Sequence, residues 1–460
     1  MRNSQGKTIK DYLVPGTRAH LVGIGGVSMR PLGLVLRSMG MEITGSDMNA
    51  SVSTEELEAR GIHVAIGHSA DNIQGADCII RTAAVHNDNP EIAAARAQGI
   101  PVFERAQAWG VIMQNYHNAV CISGTHGKTT TTSMVTHIFM EAGLDPTVMI
   151  GGYLPLLKAG HRVGQGDTII MESCEYCNSF HNFFPTVAVV CNIEADHLDF
   201  FKDLEEIKAS FRKFCSLVPA DGYVLANGDD QNTVEALQGL EHEVLTFGFK
   251  PANFVHPANF TNGFSSFDVY CADAFYCHID LKIAGRHNAY NALAAAASAF
   301  VLQLPGEAVT KGLASFHGAG RRMEYKGTWH GADIYDDYAH HPGELHATLE
   351  AVKSMGYRRI VCAFQPHTYS RTKALFDDFV RELQVPDVLV LAEIYAARES
   401  NTIGISSHIL ASHIPGAVAY DTLPEVTAAL REIARPGDII LTIGAGDIYK
   451  AGEALLRSES

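Results

Sequence analysis

Residues 119–130 constrain the fold of this chain more than any other segment. Five small or apolar residues at 119–123 run into Gly124-Thr125-His126-Gly127-Lys128-Thr129-Thr130, and residues 128–142 then read as a helix. A buried strand, a glycine loop and a helix in immediate succession form the unit of a parallel α/β sheet. The glycines let the backbone wrap a phosphate, and the helix N-terminus offers unpaired N–H groups and a positive dipole end. Lys128 is placed to reach β/γ-phosphates, and the hydroxyl after it suits Mg²⁺. The longer form of this loop has glycine at position 122, where Ile122 stands, so the loop is a shortened variant.

The same alternation covers most of the chain. Strands are expected at 20–24, 42–45, 77–81, 101–104, 168–171, 187–191, 332–335, 360–364, 388–392 and 439–443. Helices are expected at 31–39, 91–98 and 288–302, the last alanine-rich and apolar enough to lie buried between layers. At 460 residues the chain exceeds one ordinary core. Divisions fall near 116 and 318, giving units 1–116, 117–318 and 319–460.

A hydrophobic share of 47% and a charged share of 19% describe a packed globular enzyme. The net charge of -16, without a dense Lys/Arg run, excludes duplex nucleic acid as a partner. The nine scattered cysteines read as free thiols in a reducing compartment, and the pair Cys174 and Cys177 lacks the second pair a zinc site needs. The opening MRNSQGKTIKDYLVPGT has no apolar core of a signal peptide, and no run approaches the ~20 apolar residues of a membrane span. A cytoplasmic location without a membrane partner is the expectation.

Further motifs surround the phosphate loop. Two expected strands end in carboxylates, one at Glu172-Ser173-Cys174-Glu175 and one at Glu194-Ala195-Asp196-His197. Strand ends are where α/β folds gather ligand groups, and Mg²⁺ prefers oxygen. Near the N-terminus, Gly23, Gly25 and Gly26 follow a strand, with Ser46-Asp47 about 20 residues on, the outline of a dinucleotide fingerprint. An NAD-dependent oxidoreductase would use that loop, but would leave residues 124–130, Glu172 and His197 without a role. The last unit holds Arg321-Arg322, Asp336-Asp337-Tyr338-Ala339-His340-His341, His367 with Arg371, and the 393–399 segment containing Arg398. Adjacent histidines point to different sides, which favours substrate recognition over zinc.

Taken in order, GIGG, GSD, GTHGKTTT, ESCEY, NIEADHLDFF, GRHNAYNA, GAGRRMEY, DDYAHHP, FQPHTYSRT and GAGDI resemble the Mur ligase superfamily over nearly the whole chain. The resemblance implies three domains: a Rossmann-like N-terminal domain, a central P-loop ATPase domain and a Rossmann-like C-terminal domain that closes over ATP. It implies ATP-dependent ligation of L-alanine to the lactoyl carboxylate of UDP-N-acetylmuramate through an acyl phosphate, in peptidoglycan precursor synthesis, by a monomer or homodimer. Attachment of a murein tripeptide to the same nucleotide sugar is the alternative. Gly23, Gly25, Gly26, Ser46 and Asp47 would bind the nucleotide sugar. ATP would meet Gly124, Thr125, His126, Gly127, Lys128, Thr129, Thr130, Asn288, Asn291, Arg321, Asp337 and Tyr338, with His287 in the same motif. Thr129, Glu172 and His197 would hold Mg²⁺, and Lys128, Glu172, His197 and Arg322 would be catalytic. Glu175, His340, His341, His367 and Arg371 would face the muramoyl carboxylate and the amino acid.

Overall fold

The computed structural model describes residues 7–457 except Asp199, Ser354 and Arg398. Asp199 and Arg398, from two segments singled out above, therefore lie outside the described residues, as do residues 1–6 of the N-terminal stretch. Three sheets follow one another along the chain. The first has five parallel strands in the spatial order His63–Ile66, Glu42–Asp47, Arg18–Val22, Cys78–Arg81, Val102–Glu104. Its order reverses beside Arg18–Val22, the strand that feeds the first glycine loop, so that loop opens at the switch point where such sheets bind ligands.

The central sheet has ten strands, and the strand Asn118–Ser123 lies between Thr168–Glu172 and Val187–Val190, parallel to both. Ile122 pairs in register with Glu172 and Ser123 with Val190. The phosphate loop and both acidic strand ends therefore leave the sheet at one edge. The chain also adds antiparallel pieces that the alternating pattern does not announce: Val255–Thr261, Ser266–Cys271 and Ala274–Asp280 at one side, and the pair Thr147–Leu154 and Ala159–Arg162 at the other. The first three largely alternate buried and partly exposed residues, and Thr147–Leu154 is buried continuously only over residues 147–150, so none carries a long apolar run.

Behind the loop, the helix Lys128–Glu141 is buried along most of its length despite the run Thr129–Ser133. A buried hydroxyl needs a partner, and Thr132, Ser133 and Thr136 donate back to the carbonyls four residues earlier at 2.8, 2.7 and 2.8 Å. The alanine-rich helix Arg286–Val301 packs against it, as the sequence pattern required.

The third sheet has six strands, ordered Glu324–Trp329, Ala332–Asp337, Asp438–Ile443, Arg359–Phe364, Val388–Ala392, Val418–Tyr420, with only the first pair antiparallel. Its cores are its own. The first two sheets instead share one apolar cluster that runs from Leu21 through Trp109 and Met113 to Phe180 and Phe183. The N-terminal and central units are thus joined by packing, whereas polar bonds such as Gly320 N–H to the Tyr153 carbonyl at 2.7 Å join the third unit to them. No helix among the described residues is long and apolar enough to cross a membrane.

The apolar junction depends on close approach at Gly110, where a Cβ would stand 1.9 Å from the Asn182 carbonyl oxygen. Gly110→Ala is expected to destabilise the junction by about 1–3 kcal/mol, as overpacking does. Thermal unfolding should show a lowered midpoint, with ADP affinity unchanged because no loop residue is touched; an unshifted midpoint would mean the junction yields freely.

Candidate active site

Gly124 and Gly127 carry φ values of +137° and +82°, which only glycine adopts readily, and they let the loop turn between strand and helix. The turn is also crowded, since a Cβ on Gly127 would lie 2.5 Å from Asn291 Oδ1. Asn192, just past the neighbouring strand, fastens the loop from outside: its Oδ1 accepts from His126 N–H at 2.8 Å and its Nδ2 donates to the His126 carbonyl at 3.1 Å. Lys128 Nζ donates to the Gly124 and Thr125 carbonyls and to both oxygens of buried Glu175, at 3.3 and 3.1 Å. Burial opposes the Lys128 charge, but Glu175 outweighs it and raises the ammonium above its usual range.

The Thr129 hydroxyl donates to Glu172 Oε1 at 3.0 Å, and Glu172 Oε2 accepts from Gly151 N–H at 2.6 Å. A hydroxyl and a carboxylate side by side at a phosphate loop form the hard oxygen set that suits Mg²⁺. His197 is brought instead beside Glu175, its Nε2 3.9 Å from Oε1, and against the Tyr176 ring at 4.7 Å. Burial lowers the His197 pKa more than Asp196 and Glu175 raise it, so the ring is held neutral.

Three cavities border these groups or their immediate neighbours. The largest, of about 610 Å³, lies between the phosphate loop and the third unit. His126, Gly127, Thr130, His287, Asn288, Asn291, Arg322 and Asp337 line it. Burial pushes the Asp337 carboxyl up to about 6 and the His287 ring down to about 4. A second cavity, of about 280 Å³, is bounded by His197, Tyr338, His340, His367 and Arg371. The third, of about 240 Å³, runs from Gly26 and Ser28 of the first glycine loop to Glu172 and Cys174.

Several expected residues take up other work. Arg321 is committed within the third sheet: Nε donates to Asp336 at 2.8 Å, and Nη1 and Nη2 to the Gly446 and Gly444 carbonyls at 3.0 and 2.6 Å. Its neighbour Arg322 is the arginine that faces the large cavity. Tyr338, expected on the nucleotide side, borders the 280 Å³ cavity. The adjacent rings of His340 and His341 part as their spacing implied, but only His340 reaches that cavity. His341 donates from Nε2 to the Ala195 carbonyl at 3.2 Å and accepts Gly343 N–H at Nδ1, also at 3.2 Å, which assigns it a neutral tautomer. His126, Glu194 and His341 bring potential ligand atoms within 4.8 Å of one another, yet both His341 nitrogens already have partners.

In the first unit, Asp47 Oδ2 accepts from Gly25 N–H at 2.9 Å and shapes the loop with Gly23 at φ +81°. Ser46 is fully buried and its hydroxyl donates to Glu91 at 2.7 Å, so that side chain does not face the loop's ligand side. Burial alone would raise Glu91, but His20, Ser46 and Asn72 hold it at about 2. Sequence reasoning singled out Glu194 and Asp196 as carboxylates but missed Glu91, Glu344, the pairing of Glu194 with His126 and the salt bridge from Arg371 to Asp196 at 3.1 Å. Each is a contact between segments far apart in the chain, and only Glu194 and Asp196, as carboxylates at a strand end, left a signal.

A P-loop centre flanked by two further α/β units defines a three-domain nucleotide-dependent ligase fold, and comparison with known proteins agrees. Residues 18–117 match the Mur ligase family catalytic domain, 122–299 the Mur ligase middle domain, and 321–446 the Mur ligase glutamate ligase domain. The chain belongs to the Mur ligase family. It is 45% identical to the UDP-N-acetylmuramate–L-alanine ligase of Acetivibrio thermocellus, over 96% of each chain. It is 43% identical to the protein of that name in Caldanaerobacter subterraneus subsp. tengcongensis, over 95% of this chain and 97% of the relative. Among solved structures, the UDP-N-acetylmuramate-alanine ligase MurC of Thermotoga maritima superposes with a TM-score of 0.80 at 27% identity, covering 96% of this chain and 99% of that one. The murein peptide ligase of Psychrobacter arcticus shares the fold, with a TM-score of 0.75 at 22% identity over 96% and 98%.

The His126 ring joins two domains, with Nε2 3.3 Å from Glu194 and Nδ1 3.5 Å from Glu344. Burial opposes its charge, but the two carboxylates raise it to about 9 from 6.5, with the neutral His341 ring 4.8 Å away. A value raised by folding contributes stability that is complete below the unfolded pKa and lost as pH rises through the folded one. Between about pH 6.5 and 9.5 the thermal midpoint should therefore fall further in the parent protein than in His126→Asn. Equal falls would remove this ion pair from the account.

Proposed function

We propose that the chain is an ATP- and Mg²⁺-dependent ligase that joins L-alanine to the lactoyl carboxylate of UDP-N-acetylmuramate in cytoplasmic peptidoglycan precursor synthesis, with domains divided near residues 116 and 318. The observation that carries the reading is the grouping of three cavities about the phosphate loop: one is lined by the loop itself, one by Glu172, which bonds Thr129, and one by His197, which stands beside the Glu175 that pairs with Lys128. The 240 Å³ cavity leads from the first glycine loop to Glu172, which supports a path for the nucleotide sugar's carboxylate toward the phosphate site. The 610 Å³ cavity falls within the ~300–1,000 Å³ range of small-molecule sites and suits a nucleotide. The 280 Å³ cavity carries Arg371, a cation for the carboxylate of an amino acid acceptor.

A carboxylate is a poor acyl donor, so amide formation needs activation. The muramoyl carboxylate attacks the γ-phosphorus of ATP, the bond to the β-phosphate oxygen breaks, and an acyl phosphate and ADP form. Two anions must meet in this step. Lys128, held charged by Glu175, and Arg322 neutralise the charge that spreads over the transferring phosphoryl group. Mg²⁺ held by Thr129 and Glu172, with His197 nearby, would add charge neutralisation there. The amino group of alanine then attacks the acyl carbon, and the tetrahedral intermediate expels phosphate. That amine must first lose a proton; the His197 imidazole, held neutral by burial, faces the 280 Å³ cavity, whereas His340, held near 4 by burial even beside Glu344, is too weak a base to take it. Arg371, tethered to Asp196, is positioned for a carboxylate in the same cavity.

Lys128→Ala is expected to lower turnover by at least about a hundredfold, on the scale of a removed transition-state donor, without changing the circular dichroism spectrum. Near-parental turnover would end the phosphate-loop assignment. The reaction itself is tested by phosphate release from ATP with UDP-N-acetylmuramate, offered L-alanine, the L-Ala–γ-D-Glu–diamino acid tripeptide, or no acceptor. Release that requires both L-alanine and Mg²⁺ is the expected result. Release with the tripeptide alone would keep the mechanism and change the substrate, and silence with every acceptor would overturn the reading.

A further inference from the structure

We propose that Glu344 is a positioning residue that docks the third domain on the phosphate loop, one carboxylate engaging His126 and Arg322 together. The proposal deepens the ligase reading and rests on it. Glu344 lies in the first turn of the helix Pro342–Lys353, where a carboxylate gains from the helix dipole. Oε2 accepts from the backbone N–H groups of His340 and His341 at 3.0 and 3.3 Å and stands 3.3 Å from His340 Nδ1. Oε1 stands 3.5 Å from His126 Nδ1 and 3.6 Å from Arg322 Nη1. Glu344 therefore touches the loop, the arginine of the nucleotide cavity and a histidine of the acceptor cavity at once.

His126 belongs to the phosphate loop itself, its backbone clamped by Asn192, so a pull on its ring is felt by the loop. Glu344 also lines the cavity that the anionic nucleotide would enter. Alone it would repel that ligand; flanked by two cations it does not, and a buried charge persists only when so paired. Burial would raise its pKa, but the charges of His126 and Arg322 hold the carboxyl well below its usual range, so it is charged at neutral pH. Because the apolar clusters of the third unit are separate from those of the first two, and its charged contact with the loop runs through Glu344, removal of this hub is expected to shift the domain toward an undocked arrangement. ATP held by the loop and by Asn288 would then still bind, but the reacting groups would be assembled less often.

The test compares Glu344→Gln, His126→Asn and the double variant. Each single variant is expected to lower kcat about tenfold, with the double variant no worse than the weaker single, the signature of coupled residues. In Glu344→Gln, the KM for ATP and the calorimetric affinity for AMP-PNP should stay within about threefold of parental values. Independent losses that multiply in the double variant, or parental kcat in either single, would overturn the proposal. So would lost AMP-PNP affinity at unchanged kcat, which makes Glu344 a nucleotide-binding group instead. If Glu344→Gln does not fold, His126→Asn removes the same contact from the other side. Small-angle scattering with Mg²⁺ and AMP-PNP separates this proposal from the ligase reading: a larger radius of gyration in the variants than in the parent supports docking through Glu344 even if no acceptor is used, and equal radii overturn it.

Discussion

The placement of one strand governs this molecule. Asn118–Ser123 runs parallel to a neighbour on each side, so its glycine loop leaves the sheet between two other strand ends. Glu172 comes from one side and Asn192 from the other, and neither could reach the loop from an antiparallel neighbour at the same register. Everything else that the site needs, including a buried lysine, paired carboxylates and a clamped loop, follows from that edge.

Burial then sets the chemistry. Glu175 is buried and Lys128 largely so, and each makes the other's charge tolerable. Where burial prevails the response is opposite: His287 falls to about 4, and so does His340 even with Glu344 3.3 Å away. His126, between two carboxylates, rises to about 9. Similar side chains thus fill opposite roles a few ångströms apart, because local electrostatics decides which of them carries a proton.

The domains are joined by two kinds of interface. A continuous apolar cluster unites the first two, with Gly110 allowing a helix to approach the backbone at Asn182. The third meets the second through bonds such as Arg371 to Asp196 and His341 to the Ala195 carbonyl. Polar interfaces between domains break and re-form more easily than apolar ones. That difference suits a site in which a reactive acyl phosphate must be shielded from water and substrates must still enter.

The local pattern of the chain was sufficient for the α/β class, the phosphate loop, the strands that flank it and the buried alanine helix. These rest on short-range chemistry: apolar runs make buried strands, Gly124 and Gly127 make the turn, and periodicity makes the helix. The antiparallel extensions were not legible, because half-exposed strands alternate polar and apolar residues without a distinctive run. Within the site, sequence spacing could not distinguish Arg321 from Arg322, or His340 from His341. Adjacent residues point in different directions, and only the packing of the third sheet decided which of each pair faces a cavity. Ser46 was turned inward by Glu91, 45 residues away, and Glu344 acquired its partners from two domains. Residue types and their order determined what chemistry the chain could perform. Which atoms meet was left to tertiary structure, because contacts between distant segments form only once three sheets are packed together.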